Sequence, residues 1–147
     1  MKSSHNNKEC GSALLELAIS MPLLLLILFG VADLGRFLYA ATEVVNAAAA
    51  GAEYATASLA NTTDYAGMQT AAQNDAANVS GMQVSTSSFC QCVSGTTVSC
   101  TIGACGGSST PPSYIKVTTS ATFNTLFSYP ALPSSIALSG SAVRRLQ

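Results

Sequence analysis

The sequence predicts an α+β chain, with a long N-terminal transmembrane and stalk helix packed on a small antiparallel β-sheet braced by disulfides. Three observations lead there. Residues 13–32 are 20 in number and carry one charge, Glu16, which matches the roughly 20 apolar residues that cross about 30 Å of hydrocarbon. Helical periodicity then continues to residue 60. From Met82 the period changes, short β-branched runs are divided by Gly, Ser and Pro, and four cysteines fall within 16 residues.

A chain of 147 residues leaves room for one domain beyond an anchor. Hydrophobic residues make up 48% and charged residues 9%, but much of the apolar content is the N-terminal segment and alanine. The remainder is polar and supports a modest core. A net charge of -1 offers no basic face for nucleic acid and no acidic tail. The expected organisation is a leader over residues 1–11, a transmembrane and stalk helix over 12–60, and a small helix plus β-domain over 61–147. Lys2 and Lys8 precede the span and Arg36 follows it, so the positive-inside rule places the N-terminus in the cytoplasm and the C-terminal domain outside, in a single pass. A cleaved signal peptide, with its apolar run ending at Phe29 and a cut at residues 30–32, is the competing reading. The run exceeds the usual core of about 7–15 residues and flows into a helical pattern, which favours an anchor.

Glu16 stands early in the span. A carboxylate at a membrane helix centre costs roughly 2.5–3.5 kcal/mol on insertion scales, and less near the interface. Either it snorkels to headgroups, or it has a partner in an assembled state.

The pattern Gly11-x-x-x-x-Glu16 at the head of an apolar helix resembles the processing site of type IV prepilins. That resemblance implies cleavage after Gly11 by a prepilin peptidase, leaving Ser12 as the new N-terminus and Glu16 as its fifth residue. It also implies that Glu16 pairs with the free α-amine of a neighbouring subunit; a carboxylate and an ammonium group neutralise each other at close range. Further along, Glu16, Pro22, Phe29, Gly30, Asp33, Gly35, Arg36, Gly51, Ala52, Tyr54 and Ala55 follow the order of the TadE-like family, minor pseudopilins of tight-adherence pilus systems. Leu17 departs from the pattern, which commonly has an aromatic residue there. The resemblance implies a pilin-like fold and a place at the bacterial inner membrane or in a pilus. The partners it implies are a prepilin peptidase, the major pilin, a companion pseudopilin, an inner-membrane platform and membrane lipid.

Beyond the span, Leu34, Phe37, Leu38, Ala41, Val45, Ala48, Ala52, Ala55 and Leu59 recur at steps of three and four and make one helical stripe. Asp33 and Arg36 stand three apart and pair locally. Pro22 lacks a backbone donor and is expected to kink the helix inside the membrane. Residues 47–52 are all Ala or Gly, a surface with almost no bulk that lets another element approach closely; alanine also simply favours helix. Asn61, Thr62 and Thr63 break the pattern. Thr63 or Asp64 then caps a second helix running toward Val79, with Tyr65, Met68, Ala72, Ala76 and Val79 as its apolar stripe. Asn61-x-Thr63 and Asn78-x-Ser80 match glycosylation sequons, triplets that arise often by chance.

In the C-terminal part, residues 89–93 and 98–102 flank Ser94, Gly95, Thr96 and Thr97 as a hairpin. Alternation of Ile115, Val117, Thr119, Ala121 and Phe123 with polar neighbours marks the clearest strand. Pro130 and Pro133 bracket a loop, and Ile136, Leu138, Gly140 and Ala142 alternate into a last strand ending at Arg144 and Arg145. The core is expected where this sheet lies on the alanine face of the stalk. Cys90, Cys92, Cys100 and Cys105 allow three pairings. A hairpin centred near Gly95 and Thr96 favours nested bridges, Cys92 to Cys100 and Cys90 to Cys105. Zinc is the weaker reading, because C-x-C-x7-C-x4-C lacks knuckle spacing and an extracytoplasmic compartment is oxidising. A redox pair would want C-x-x-C.

Catalysis has little support. The one histidine, His5, lies in the leader, and Asp33, Glu43, Glu53, Asp64 and Asp75 fall on predicted helices without paired spacing. No phosphate loop or nucleophile elbow occurs, and the many Ser and Thr have no base to activate them. The chain reads as a non-enzymatic minor pilin or pseudopilin without cofactor or metal. The alternative is an uncleaved, single-pass anchored binding module in which Glu16 merely snorkels.

Overall fold

The structure, a computed structural model, describes residues 7–127 and 133–146, with side chains from Ser12 onward. Lys2, His5 and Pro130, and the side chains of Lys8 and Cys10, lie outside the described residues. The elements are α1 (Asn7–Ala57), a 3-10 turn (Leu59–Thr63), α2 (Tyr65–Asp75), β1 (Gln83–Gln91), β2 (Thr97–Val98), β3 (Ser113–Asn124) and β4 (Ser135–Arg145). Two compact units divide the chain, one up to Arg36 and one from Phe37 onward.

In the first unit, α1 is rich in Leu and Ala, which lose little side-chain freedom in a helix, and Pro22 lies within it. Side chains from Leu14 to Val31 are largely exposed, Ile19 at 71% and Leu14 at 68%. Asp33 is buried and accepts an ion-paired hydrogen bond from Arg36 at 3.1 Å, the local pair expected.

The second unit is two-layered. Its sheet is antiparallel throughout, in the order β2-β1-β3-β4. β3 and β4 pair along their length from Tyr114↔Arg145 to Asn124↔Ser135. β1 is a full strand from Gln83, although its sequence suggested a strand only from Phe89. Ser and Thr occur on both faces of β1, so alternation is masked, and its pairing with β3 from Gln83↔Ser120 to Cys90↔Ser113 supplies the order instead. β2 has two residues where the sequence suggested five.

The last stretch of α1 lies on the sheet by its alanine face, as expected, with the buried stripe overlapping the expected one at Ala48, Ala52 and Ala55 and shifted from it at Val44, Ala47 and Val45. Val44, Ala47, Ala48, Ala52 and Ala55 are fully buried, whereas Leu38, Val45 and Leu59 are half-exposed or more. The face with least bulk is the one buried, and of the larger residues in the expected stripe Leu38, Val45 and Leu59 fall outside it. Its close approach is set by two glycines. A Cβ on Gly51 would meet the Met68 carbonyl oxygen at 2.9 Å and Val117 Cγ1 at 3.1 Å; one on Gly140 would meet the Val44 carbonyl oxygen at 2.7 Å. Between them, the fully buried Thr119 hydroxyl donates to the Val44 carbonyl at 2.5 Å, with the Gly140 carbonyl at 3.4 Å. Phe37 and Phe123 pack edge to face at 5.6 Å, and Met68, Ile115 and Val117 fill the space between α1, α2 and the sheet.

α1 ends at Ala57, three residues before the expected stop, where Ser58 turns extended. Helix ends leave carbonyls without intrahelical partners; Asn61 Nδ2 donates to that of Tyr54 at 2.9 Å. α2 is capped by Asp64 rather than Thr63, the Asp64 carboxylate accepting from the Gly67 N–H at 2.9 Å. It stops at Asp75, short of Val79.

The cysteines pair as Cys90–Cys100 and Cys92–Cys105, which corrects the nested expectation. The physical reason is the hairpin register. Cys90 lies opposite Val98, and the turn closes by Cys92 N–H to the Thr96 carbonyl at 2.9 Å. The turn is therefore centred on Ser94, one to two residues earlier than expected. That puts Cys100 two residues past the partner of Cys90, with their Cα atoms 5.2 Å apart. Cys92 is left for Cys105, and the bridges interleave.

Candidate processing and assembly segment

Gly11, Ser12 and Glu16 all lie on α1. Ser12 and Glu16 are four residues apart, so they share one helix face, and both are exposed. Ser20, one turn further along the same side, donates its hydroxyl to the Leu17 carbonyl at 3.3 Å. The Glu16 carboxylate therefore stands on the open side of a helix whose apolar window is wholly unburied. A core helix of a globular domain would bury such a window. This one is long and apolar enough to cross a membrane.

The structure brings together two further groups in the second unit that do not belong to this segment. In the first, Tyr54 donates its hydroxyl to Asp64 Oδ2 at 2.8 Å, while the other Asp64 oxygen takes the Gly67 N–H. The Gly67 N–H bond, then the Tyr54 bond, hold the Asp64 carboxyl below the usual range, and Asp64 in turn pushes the Tyr54 phenol up. A Cβ on Gly67 would sit 2.6 Å from Tyr54 Cε1, so a larger residue there would have to displace the Tyr54 ring and the Asp64 carboxylate. This knot ties the end of α1 to the start of α2. The sequence signal was an N-cap aspartate three residues before a glycine; its tie to Tyr54 depends on the 3-10 turn and had no signal.

In the second group, a groove of about 320 Å³ is lined by Glu43, Asn46, Ala49, Ala50, Glu53 and Asp75. Glu53 also meets Arg144 at 3.5 Å, an exposed pair. The four sequence-identified cysteines, Cys90, Cys92, Cys100 and Cys105, are joined as disulfides, which removes the thiolates a zinc site would need. Among the described residues, no group of three or more His, Cys, Asp or Glu is placed to hold a metal ion.

No curated protein and no solved structure matches the chain. One matched stretch covers 43 of the 147 residues, from Gly11 through Gly51 and Ala52 to the residue before Tyr54. Within these bounds, residues 11–53, the chain matches the family model of TadE-like proteins.

Proposed function

We propose that this protein is a minor pilin or pseudopilin that takes part in assembling a tight-adherence, type IV-like pilus at a bacterial inner membrane. The TadE-like family is pilus-associated and is not an enzyme family. The observation that carries the finer reading is Glu16, an exposed carboxylate on the unburied apolar part of α1, five residues after Gly11 and inside the matched segment.

In this reading residues 1–11 are a cytoplasmic leader, 12–60 the transmembrane and stalk helix, and 61–147 the extracytoplasmic part. A prepilin peptidase cuts after Gly11 and frees the Ser12 amine. The apolar helix holds the subunit in the bilayer until the inner-membrane platform extracts it. Glu16 then docks beside the α-amine of a neighbouring major pilin or companion pseudopilin. In the low dielectric of packed helices an unpaired carboxylate is costly, so pairing selects the seated register.

The test is the intact mass of the protein extracted from its native membrane, followed by copurification with the major pilin. A mass beginning at Ser12 is expected. Glu16→Gln is expected to be processed but to lose the major pilin from the copurified complex. A full-length mass would overturn the cleaved-pilin mechanism in favour of an anchored module, and a mass beginning after residue 32 would mean a secreted domain.

A further inference from the structure

The charges of the second unit are sorted by layer. From Phe37 onward the acids are Glu43, Glu53, Asp64 and Asp75, all on or at the ends of α1 and α2, and the bases are Lys116, Arg144 and Arg145, all on β3 and β4. Asp64 is engaged by Tyr54 and Gly67, and Arg144 by Glu53. The remaining charges face opposite ways. At 100° per residue, the stripe that buries Val44, Ala47, Ala48 and Ala52 puts Glu43, Asn46 and Ala50 off the sheet-facing side of α1. There they line the groove with Asp75, and Glu53, already held by Arg144 of β4, borders the same groove. On the sheet, the inner face holds Leu138 and Gly140, so Val143 and Arg145 lie on the outer face of β4, with Lys116 opposite Val143 on β3. Lys116 and Arg145 are thus diagonal neighbours on an open face that also carries Val143 and the stacked rings of Phe89 and Tyr114, with mainly Ser and Thr beyond them, and neither has an ion-pair partner among the described residues.

From this we infer that a second copy of the chain docks head to tail, the Lys116 and Arg145 face of one copy on Glu43 and Asp75 of the groove of the next. Charge complementarity selects the occupant. The groove has an alanine floor at Ala49 and Ala50, and its volume of about 320 Å³ admits a long basic side chain. The two patches lie on opposite layers, so the contact is heterologous. Such contacts leave one free patch of each sign at the ends and build rows rather than closed dimers. The contact uses no residue of the processing segment, and it stands or falls separately from cleavage and from Glu16.

The test is sedimentation of the full chain in detergent micelles over a range of concentrations. Association is expected to weaken at least tenfold between low and high salt, because exposed charge pairs are screened. Lys116→Glu with Arg145→Glu is expected to abolish it, and Glu43→Lys with Asp75→Lys to do the same. Mixing the two reversed proteins pairs reversed patch with reversed patch and native patch with native patch, so association returns as rows in which the two proteins alternate. A wild-type chain that stays monomeric would overturn the inference. So would association insensitive to both reversals, which would belong to the apolar helix. Thermal melts of each variant within a few degrees of wild type separate lost docking from lost folding; should the sheet variant unfold, the groove variant carries the same test.

Discussion

Replacing Gly140 by alanine tests the packing of α1 on the sheet. The added Cβ would lie 2.7 Å from the Val44 carbonyl oxygen, 2.8 Å from Val45 Cα and 2.9 Å from Thr119 Oγ1, where ordinary contact begins at 3.4 Å. Two of these three atoms are helix backbone and have no rotamer to escape into. Relief therefore requires α1 to lift by about 0.7 Å at its closest point, judged against the distances of ordinary contact. Overpacking of this kind costs about 1–3 kcal/mol. Lifting α1 also stretches the buried Thr119 bond to Val44, whose loss costs about 1 kcal/mol. Alanine recovers roughly 0.4–1 kcal/mol by restricting the unfolded chain. The net expectation is a loss of about 2 kcal/mol or more, a sizeable part of the 5–15 kcal/mol typical of a whole protein. Urea unfolding of the full chain in mild detergent, followed by circular dichroism at constant slope, measures it. Gly107→Ala, where nothing lies within 4 Å, is the control and should change stability by under about 0.5 kcal/mol. A Gly140→Ala loss below about 1 kcal/mol would refute the claim that the helix rests on backbone at this point.

Further expectations concern the same unit. Thr119→Val keeps the shape but removes the donor, and should cost about 1 kcal/mol in the same unfolding assay. Asp64 has a folded pKa below its ordinary 3.8, so its contribution is present above that value and lost as pH falls through the lower folded pKa. Tyr54 has a folded pKa above its ordinary 10.0, so its contribution is present below 10.0 and lost as pH rises through the raised folded value. Asp64→Asn, which keeps a capping oxygen, should bring the Tyr54 titration back toward 10.0 by ultraviolet difference absorbance; an unmoved titration would break the proposed coupling. Peptide mapping of the oxidised protein should recover Cys90 with Cys100 and Cys92 with Cys105. Replacing both Cys90 and Cys100 by serine should cost about 2–4 kcal/mol, since the bridge restricts the unfolded chain; recovery of Cys92 with Cys100 would contradict the hairpin register.

The sequence by itself determined which residues enter a long apolar helix, that a sheet follows it, and the clearest strands of that sheet, because burial in lipid or on one face leaves a periodic record. Residues 13–32 carry one charge, and Ile115 to Phe123 alternate strictly with polar neighbours, so α1, β3 and β4 were legible. The processing pattern and the order of small residues to Gly51 and Ala52 were legible too, as motifs, and the family match covers those residues. The alanine face of α1 was legible as the side that meets the sheet, but only the tertiary structure decided that Val44 and not Val45 flanks it, since the two are alike in composition and differ by one step of 100° in direction. It also decided the cysteine pairing, because moving the turn by one residue moves every cross-strand partner by two. The Tyr54, Asp64 and Gly67 knot and the Thr119 bond to Val44 join residues 10 and 75 positions apart in sequence. Contacts between distant segments leave no local periodicity; they arise only when packing has already brought those segments within reach.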